Sequence, residues 1–188
     1  IALRWAALAY EEDATMPIKG VVQPDLRWID ADLRLRKYEG AEGVDFALSW
    51  YQDPEILLPM DGEVKPYSKE GIAGMYQYLI EHGEMYLIEY REGDRFAPIG
   101  DVTFWQGDMP TTIGRKDLHG RGIGKKVVRN LIERGRELGY SELRIQEIYD
   151  FNLPSQRMFE ACGFRRADRT PAGWSYVLRL DGEAQKVE

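Results

Sequence analysis

The stretch from Thr111 to Tyr149 constrains the fold more than any other. A short β-prone segment, Thr111 to Arg115, runs into His119-Gly120-Arg121-Gly122-Ile123-Gly124-Lys125-Lys126. An amphipathic helix of about Ile123 to Leu138 follows, with Ile123, Val127, Val128, Leu131 and Ile132 on its apolar face and Gly139 after its end. Glu142 to Tyr149 then alternates as a strand does. A strand, turn, helix and strand in that order form a βαβ unit, which predicts a helix crossover and at least one parallel pairing.

Glycines at the turn let the backbone bend sharply and let a ligand approach main-chain N–H groups. The helix start adds unpaired donors and the positive end of a dipole, which together make an anion cradle suited to phosphate. Residues 114–136 carry eight Lys/Arg and two acids, a local net of +6, so the rest of the chain carries −13 of the total −7. Between Tyr38 and Val64 there are seven acids and no Lys or Arg. One basic and one acidic stretch suggest two ligands of opposite charge. The acidic total argues against general nucleic-acid binding.

Other elements frame this unit. Leu33 to Arg36 alternates as a first strand. Val44 to Tyr51 has Phe46, Ala47, Trp50 and Tyr51 at helical spacing and is expected to end at Asp53-Pro54. Ser68 opens a second helix, with Ile72, Met75, Tyr76 and Leu79 on one side and Gly83 after it. Glu84 to Tyr90 and Ile99 to Trp105 read as neighbouring strands joined near Gly93-Asp94. Asn152 and Pro154 open a last helix that stops by Gly163, and Trp174 to Leu180 is the last strand, with a further strand expected near Phe164–Ala167. The 188 residues suit one domain. The chain opens on Ile1, and Met16 offers an internal start; residues 1–24 are expected to be an N-terminal arm or an appended segment, and 25–188 a single domain. The one cysteine, Cys162, favours a reducing, cytoplasmic compartment, and with only two histidines no metal site is expected. No apolar run is long enough for a membrane helix.

Two nucleotide motifs fail on residue identity. A P-loop needs a Ser or Thr where Lys126 stands, and a Rossmann fingerprint needs Gly where Lys125 stands. The spacing instead resembles the acetyl-CoA signature of the GNAT family of N-acetyltransferases, Gln/Arg-x-x-Gly-x-Gly/Ala, with His119 at the first position. Asn152-Leu-Pro-Ser155-Gln-Arg-Met-Phe159-Glu-Ala-Cys162-Gly163-Phe164 resembles the family's second conserved segment. Trp50-Tyr51-Gln52-Asp53-Pro54-Glu55 is similar to a segment of aminoglycoside 6′-N-acetyltransferases.

The resemblance implies a GNAT-like α/β fold: a mixed, mostly antiparallel sheet of about 6–7 strands flanked by about four helices. It implies acetyl-CoA (coenzyme A) as cosubstrate, its pyrophosphate on Arg121, Gly122, Ile123, Gly124 and Lys125, and its pantetheine along Ile113, Gly114 and Arg115. Asn152, Ser155 and Phe159 join the cofactor side. Phe159 stands where many members have a thiolate-serving Tyr, so that role is empty here or falls to Tyr149, Tyr176 or water. Glu147 shares a strand face with Leu143, Ile145 and Tyr149 by the period of two, and Asp101 shares one with Ile99, Thr103 and Trp105; these are the candidate proton acceptors, ahead of Asp150 and Asp117. Trp50, Tyr51, Asp53 and Glu55 form an expected acidic, aromatic rim for a cationic amine such as an aminoglycoside. The alternatives are acetylation of a protein N-terminus, in the manner of ribosomal-protein acetyltransferases, and a non-catalytic acyl-CoA-binding module. The implied partner is a small-molecule amine, with neither nucleic acid nor membrane, and the assembly a monomer or homodimer.

Overall fold

The computed structural model describes Ile18 and residues 20–181. Most of the expected N-terminal arm therefore lies outside the described residues. The chain divides into two compact units, Ile1–Trp105 with Pro110–Arg121, and Gln106–Met109 with Gly122–Glu188. No helix among the described residues is long and apolar enough to cross a membrane.

The first unit holds a five-stranded sheet in sequence order: β1 (Leu26–Trp28), β2 (Leu33–Lys37), β3 (Glu84–Glu92), β4 (Arg95–Phe104) and β5 (Thr111–Ile113). Alternation in β2 buries Leu33 and Leu35, while Arg34 and Arg36 each donate to one oxygen of the buried Glu89 at 2.7 Å. Two helices cover part of this sheet with an aromatic-rich core of Tyr38, Trp50, Tyr51, Leu57, Tyr76 and Leu87. Helix α1 (Pro54–Asp61) starts where the sequence pattern predicts a stop. Asp53 is its cap, accepting from Glu55 N at 2.9 Å, and Pro54 occupies the first turn, so the dipeptide opens a helix instead of ending one. The segment before it is only a 3-10 turn, Asp45–Ala47, in place of the expected helix over Val44–Tyr51. Helix α2 (Lys69–His82) is capped by Ser68 as its spacing predicts.

Strand β4 carries one extra residue opposite Ile88 and Glu89, which pair with Gly100 and Pro98. Ile99 is that bulged residue, and its carbonyl accepts from both Gly114 N at 2.8 Å and Arg115 N at 3.1 Å.

The second unit holds a three-stranded sheet in the order β6 (Glu142–Tyr149), β8 (Gly173–Arg179), β7 (Arg165–Arg169). Helix α3 (Ile123–Glu137) buries Ile123, Val127, Val128, Leu131 and Ile132, the five residues its periodicity singled out. Gly135 lets it approach Leu143, whose methyls lie 3.0–3.1 Å from where a Cβ would stand. Helix α4 (Leu153–Glu160) is capped by Asn152, which accepts from Ser155 N at 3.2 Å. Residues 106–109 run beside β6, where Arg144 N donates to Gln106 O at 2.9 Å.

The α/β architecture follows the expectation, with eight strands and four α-helices among the described residues. The parallel pairing expected over 111–149 is not found among them: all six strand pairings are antiparallel, and β5 and β6 belong to different sheets. The β6–β8 register sets a strict test of packing. Gly173 lies where a Cβ would come 1.9 Å from the Ile148 carbonyl oxygen, a backbone atom with no room to give. Gly173→Ala should cost roughly 3 kcal/mol or more of stability, read as a shifted urea midpoint; a midpoint equal to the parent's would refute this packing.

Candidate active site

The glycine turn has the geometry of a cradle. Gly120 and Gly122 adopt φ of +76° and +75°, and a Cβ at either position would meet nothing within 4 Å. Gly122 is the N-cap of α3, and no side chain caps that end. Its first-turn amides are thus left to a ligand or solvent. No acid stands in the first turn, and Arg121, Lys125 and Lys126 are exposed around it. A Cβ on Gly124 would lie 2.5 Å from Met158 Sδ, the movable end of a flexible side chain. Cys162 donates its thiol to the Lys125 carbonyl at 3.7 Å and burial pushes its pKa up, which is the behaviour of a packing residue.

The donor groups just upstream are already engaged. Gly114 N and Arg115 N bond to Ile99 O, and the His119 ring Nε2 lies 2.7 Å from Ile113 O. Arg115 forks onto Asp117 through two N–H groups at 2.8 Å and reaches Glu92 at 2.7 Å. A chain running along Ile113 must therefore displace the His119 contact, which a Gln or Arg at 119 would not place in the same way.

Trp50 and Tyr51 do not form a rim. They are 4% and 1% exposed and belong to the core. Gly114 gives way to the Trp50 ring, whose Cγ lies 2.1 Å from a would-be Cβ. The acids of that stretch are partnered within the unit. Lys116 Nζ bridges Asp53 at 2.7 Å and Glu55 at 3.2 Å, and Asp61 accepts from the Tyr67 hydroxyl at 2.9 Å. Lys116 holds the Asp53 pKa below the usual carboxylate range.

Asp101 is fully embedded in the first unit. Its Oδ2 accepts from Tyr51 OH at 2.8 Å and Tyr76 OH at 2.7 Å. Burial raises its pKa to about 6 against the pull of those two phenols. Tyr76 is a partner the sequence pattern assigned only to packing.

In the second unit, Glu147 does not keep the face of Leu143 and Ile145. Ile145 pairs with Tyr176 and Ile148 with Trp174, so Gln146 and Glu147 together oppose Ser175 and the alternation breaks. Glu147 Oε1 accepts from Ala172 N at 3.2 Å. Beside this bulge sits Asp108, 9% exposed, whose Oδ1 accepts from Met109 N at 2.8 Å and more weakly from Gln146 N at 3.4 Å. Burial raises its pKa to about 7, opposed only by these two N–H groups. In the sequence Gly107-Asp108-Met109-Pro110 reads as a turn, and nothing local marks it as buried. Asn152 and Ser155 are joined in the cap of α4, and Phe159 packs edge-on against Phe164. Asp150 is tied to Arg169 through two bonds at 2.7 Å.

Fold and turn together define an α/β protein whose glycine turn leads into an uncapped helix start flanked by basic residues. The model of the acetyltransferase (GNAT) domain matches residues 32–165, and the chain belongs to the GNAT family. It is an N-acetyltransferase, and acetyl-CoA is the cosubstrate of that family. Solved structures share the fold at low identity. A domain from Methanocaldococcus jannaschii superposes with a TM-score of 0.70 at 20% identity, covering 80% of this chain and 100% of that one. Aminoglycoside acetyltransferase AAC(6′)-Ib in complex with coenzyme A gives 0.62 at 17% identity, covering 79% and 95%. The Salmonella typhimurium acetyltransferase that modifies the N-terminal serine of ribosomal protein L7/L12 gives 0.63 at 15%, covering 83% and 99%. A search of curated protein sequences found no significant match.

Raised pKa values have a consequence for stability. The folded chain holds the Asp108 proton more tightly than the unfolded chain does, so unfolding releases it and stability falls as pH rises from about 4 to about 7. Asp108→Asn removes that loss, being isosteric and keeping an oxygen for Met109 N. In urea unfolding, the variant should gain on the parent by a few kcal/mol at pH 8 and by nothing near pH 4. A difference independent of pH would contradict the burial of an ionising carboxyl there.

Proposed function

We propose that this chain, as one acetyltransferase domain over residues 25–188 working in a reducing, cytoplasmic compartment, moves acetyl from acetyl-CoA to a primary amine on a small cationic molecule, of which an aminoglycoside is the type. The observation that carries the cofactor half is the start of α3 at Gly122, which has no side-chain cap and no acid in its first turn. The amides from Gly122 to Lys125 and the charges of Arg121, Lys125 and Lys126 match a pyrophosphate in donor type and sign. Ile113, Gly114 and Arg115 border the pantetheine, and Asn152, Ser155 and Phe159 form the wall of α4. Phe159 brings no proton, so the leaving thiolate takes its proton from elsewhere.

The acetyl group arrives as a thioester, and the amine nitrogen attacks its carbonyl carbon directly. The chain's part is to hold both reactants, remove a proton from the ammonium form, and favour a cation on the acceptor side. Within the first unit the acid assigned to proton removal is Asp101, with Tyr51 and Tyr76 on its oxygen; within the second it is Glu147, at its bulge. Asp53 and Glu55 supply outer negative charge, tempered by Lys116, with Trp50 and Tyr51 as the packed floor beneath them. The likeness to AAC(6′)-Ib supports this acceptor class, and the likeness to the L7/L12 acetyltransferase supports a protein N-terminus as the second reading.

Gly122→Asp tests the cradle. A left-handed Asp is tolerated better than most residues, and it places a negative charge against the pyrophosphate. Calorimetry should show CoA affinity reduced at least 100-fold with the circular dichroism spectrum retained; parental affinity would remove the assignment. Acetylation of paromomycin, spermidine and a serine-terminated peptide, followed by thiol release, separates the acceptor readings. For a cationic acceptor the KM should rise several-fold between 50 and 300 mM salt; a flat KM, or turnover of the peptide alone, would reject the small-cation reading.

A further inference from the structure

We infer that Asp108 is the general base, the carboxylate that takes the proton from the amine before it attacks the thioester. This rests on the reading of Glu147, at its bulge, as an acid of proton removal and adds a residue to it. Three observations within the second unit carry it.

First, Asp108 is a buried acid that no cation neutralises among the described residues. Its bonds are to two backbone amides, Met109 N at 2.8 Å and Gln146 N at 3.4 Å, both on Oδ1. Glu89, also buried, has instead Arg34 and Arg36 on its two oxygens. Second, the amide that Asp108 binds belongs to the bulge of β6. Gln146 N is the main-chain group directly before Glu147, so one backbone irregularity fixes both carboxylates. A bulge that re-aims a side chain and binds a buried acid is a costly local structure, and such structures concentrate at reaction centres. Third, charge near Asp108 is scarce. On β6, Arg144 is bonded to Glu142 and Glu147 to Ala172 N, and Gln106 and Met109 on its own segment are uncharged. Burial is what governs its proton affinity, and it sets that affinity near pH 7, where a base is most effective against an ammonium. Asp101 is less suited, because two phenols already occupy its Oδ2.

The step balances as follows. The acceptor R–NH3+ passes one proton to the Asp108 carboxylate and attacks as R–NH2. The C–N bond forms, the C–S bond breaks, and the second N–H proton goes to the departing thiolate. Asp108 then releases its proton to solvent, so each turnover yields amide, free CoA thiol and one proton.

Asp108→Asn is the test, with Asp108→Glu as the partner variant. In the parent, kcat/KM for the amine turned over best among paromomycin, spermidine and a serine-terminated peptide should rise about tenfold per pH unit below pH 7 and level off above it. Asp108→Asn should lower kcat at least 100-fold, leave the acetyl-CoA KM within threefold, and lose that acid limb. Asp108→Glu should restore part of kcat and the limb. Carboxyl carbon NMR gives a readout apart from turnover: a resonance titrating near pH 7 in the parent should be missing in Asp108→Asn. The inference is overturned if the variant keeps kcat within threefold or keeps the limb, if it loses acetyl-CoA affinity in parallel with kcat, or if no such resonance disappears. A parent that turns over none of the three amines refutes the underlying reading, and this inference with it.

Discussion

The acetyl-CoA cradle proposed for this protein depends on a helix that begins without a side-chain cap. Most helices in the structure close their first turn with a side chain: Asp53, Ser68 and Asn152 each accept a backbone N–H. Helix α3 instead starts at a glycine in the left-handed region and leaves its first amides to a ligand or solvent. A cap there would gain roughly 1 kcal/mol for the apoprotein. Its absence keeps the N-terminal field available to an anion, and the neighbouring lysines raise that field further. The stability lost locally is recovered along the same helix, where five large apolar residues are buried on one face.

The same exchange of stability for function recurs among the acids. Glu89 and Asp150 are tied to arginines and hold strands together. Asp101 and Asp108 have no such partner and carry raised pKa values for that reason. The contrast is informative because both kinds occur in one small chain. Glu89 is buried with two guanidinium groups on it, and Asp101 and Asp108 are buried on phenols and amides, with burial raising their proton affinity towards neutral pH.

Much of the architecture was legible in the chain. Helices α2 and α3 follow from periodicity, because each buries one continuous stripe, and the start of α4 follows from Asn152 ahead of Pro154. Asp53-Pro54 misled, since the pair disfavours a preceding helix and equally initiates a following one; α1 is the result. The parallel pairing failed because a βαβ order constrains connection and not hydrogen bonding. Trp50 and Tyr51 were misplaced on a rim because an aromatic beside acids looks exposed in sequence. What buries Trp50 is the missing side chain of Gly114, more than sixty residues away. Asp108 could not be read at all, as its burial comes from a strand that follows it by nearly forty residues.

Bulges explain why the acids were the least legible part. A period of two assigns faces only while every residue of a strand has one partner. In β4 the extra residue is Ile99, two positions before Asp101; in β6 the unmatched pair includes Glu147 itself. Each irregularity also gathers backbone bonds that a regular strand would not. The Ile99 carbonyl takes two amides from the segment after β5, and the Gln146 amide turns to Asp108. In β4 Pro98 and Gly100 flank the extra residue, as residues at bulges often do, but no glycine or proline marks Gln146-Glu147 in β6. Strands that must place an acid against their own periodicity therefore hide it from a reader of the sequence, and the acids worth testing are those that the alternation rule assigns to the wrong face or omits.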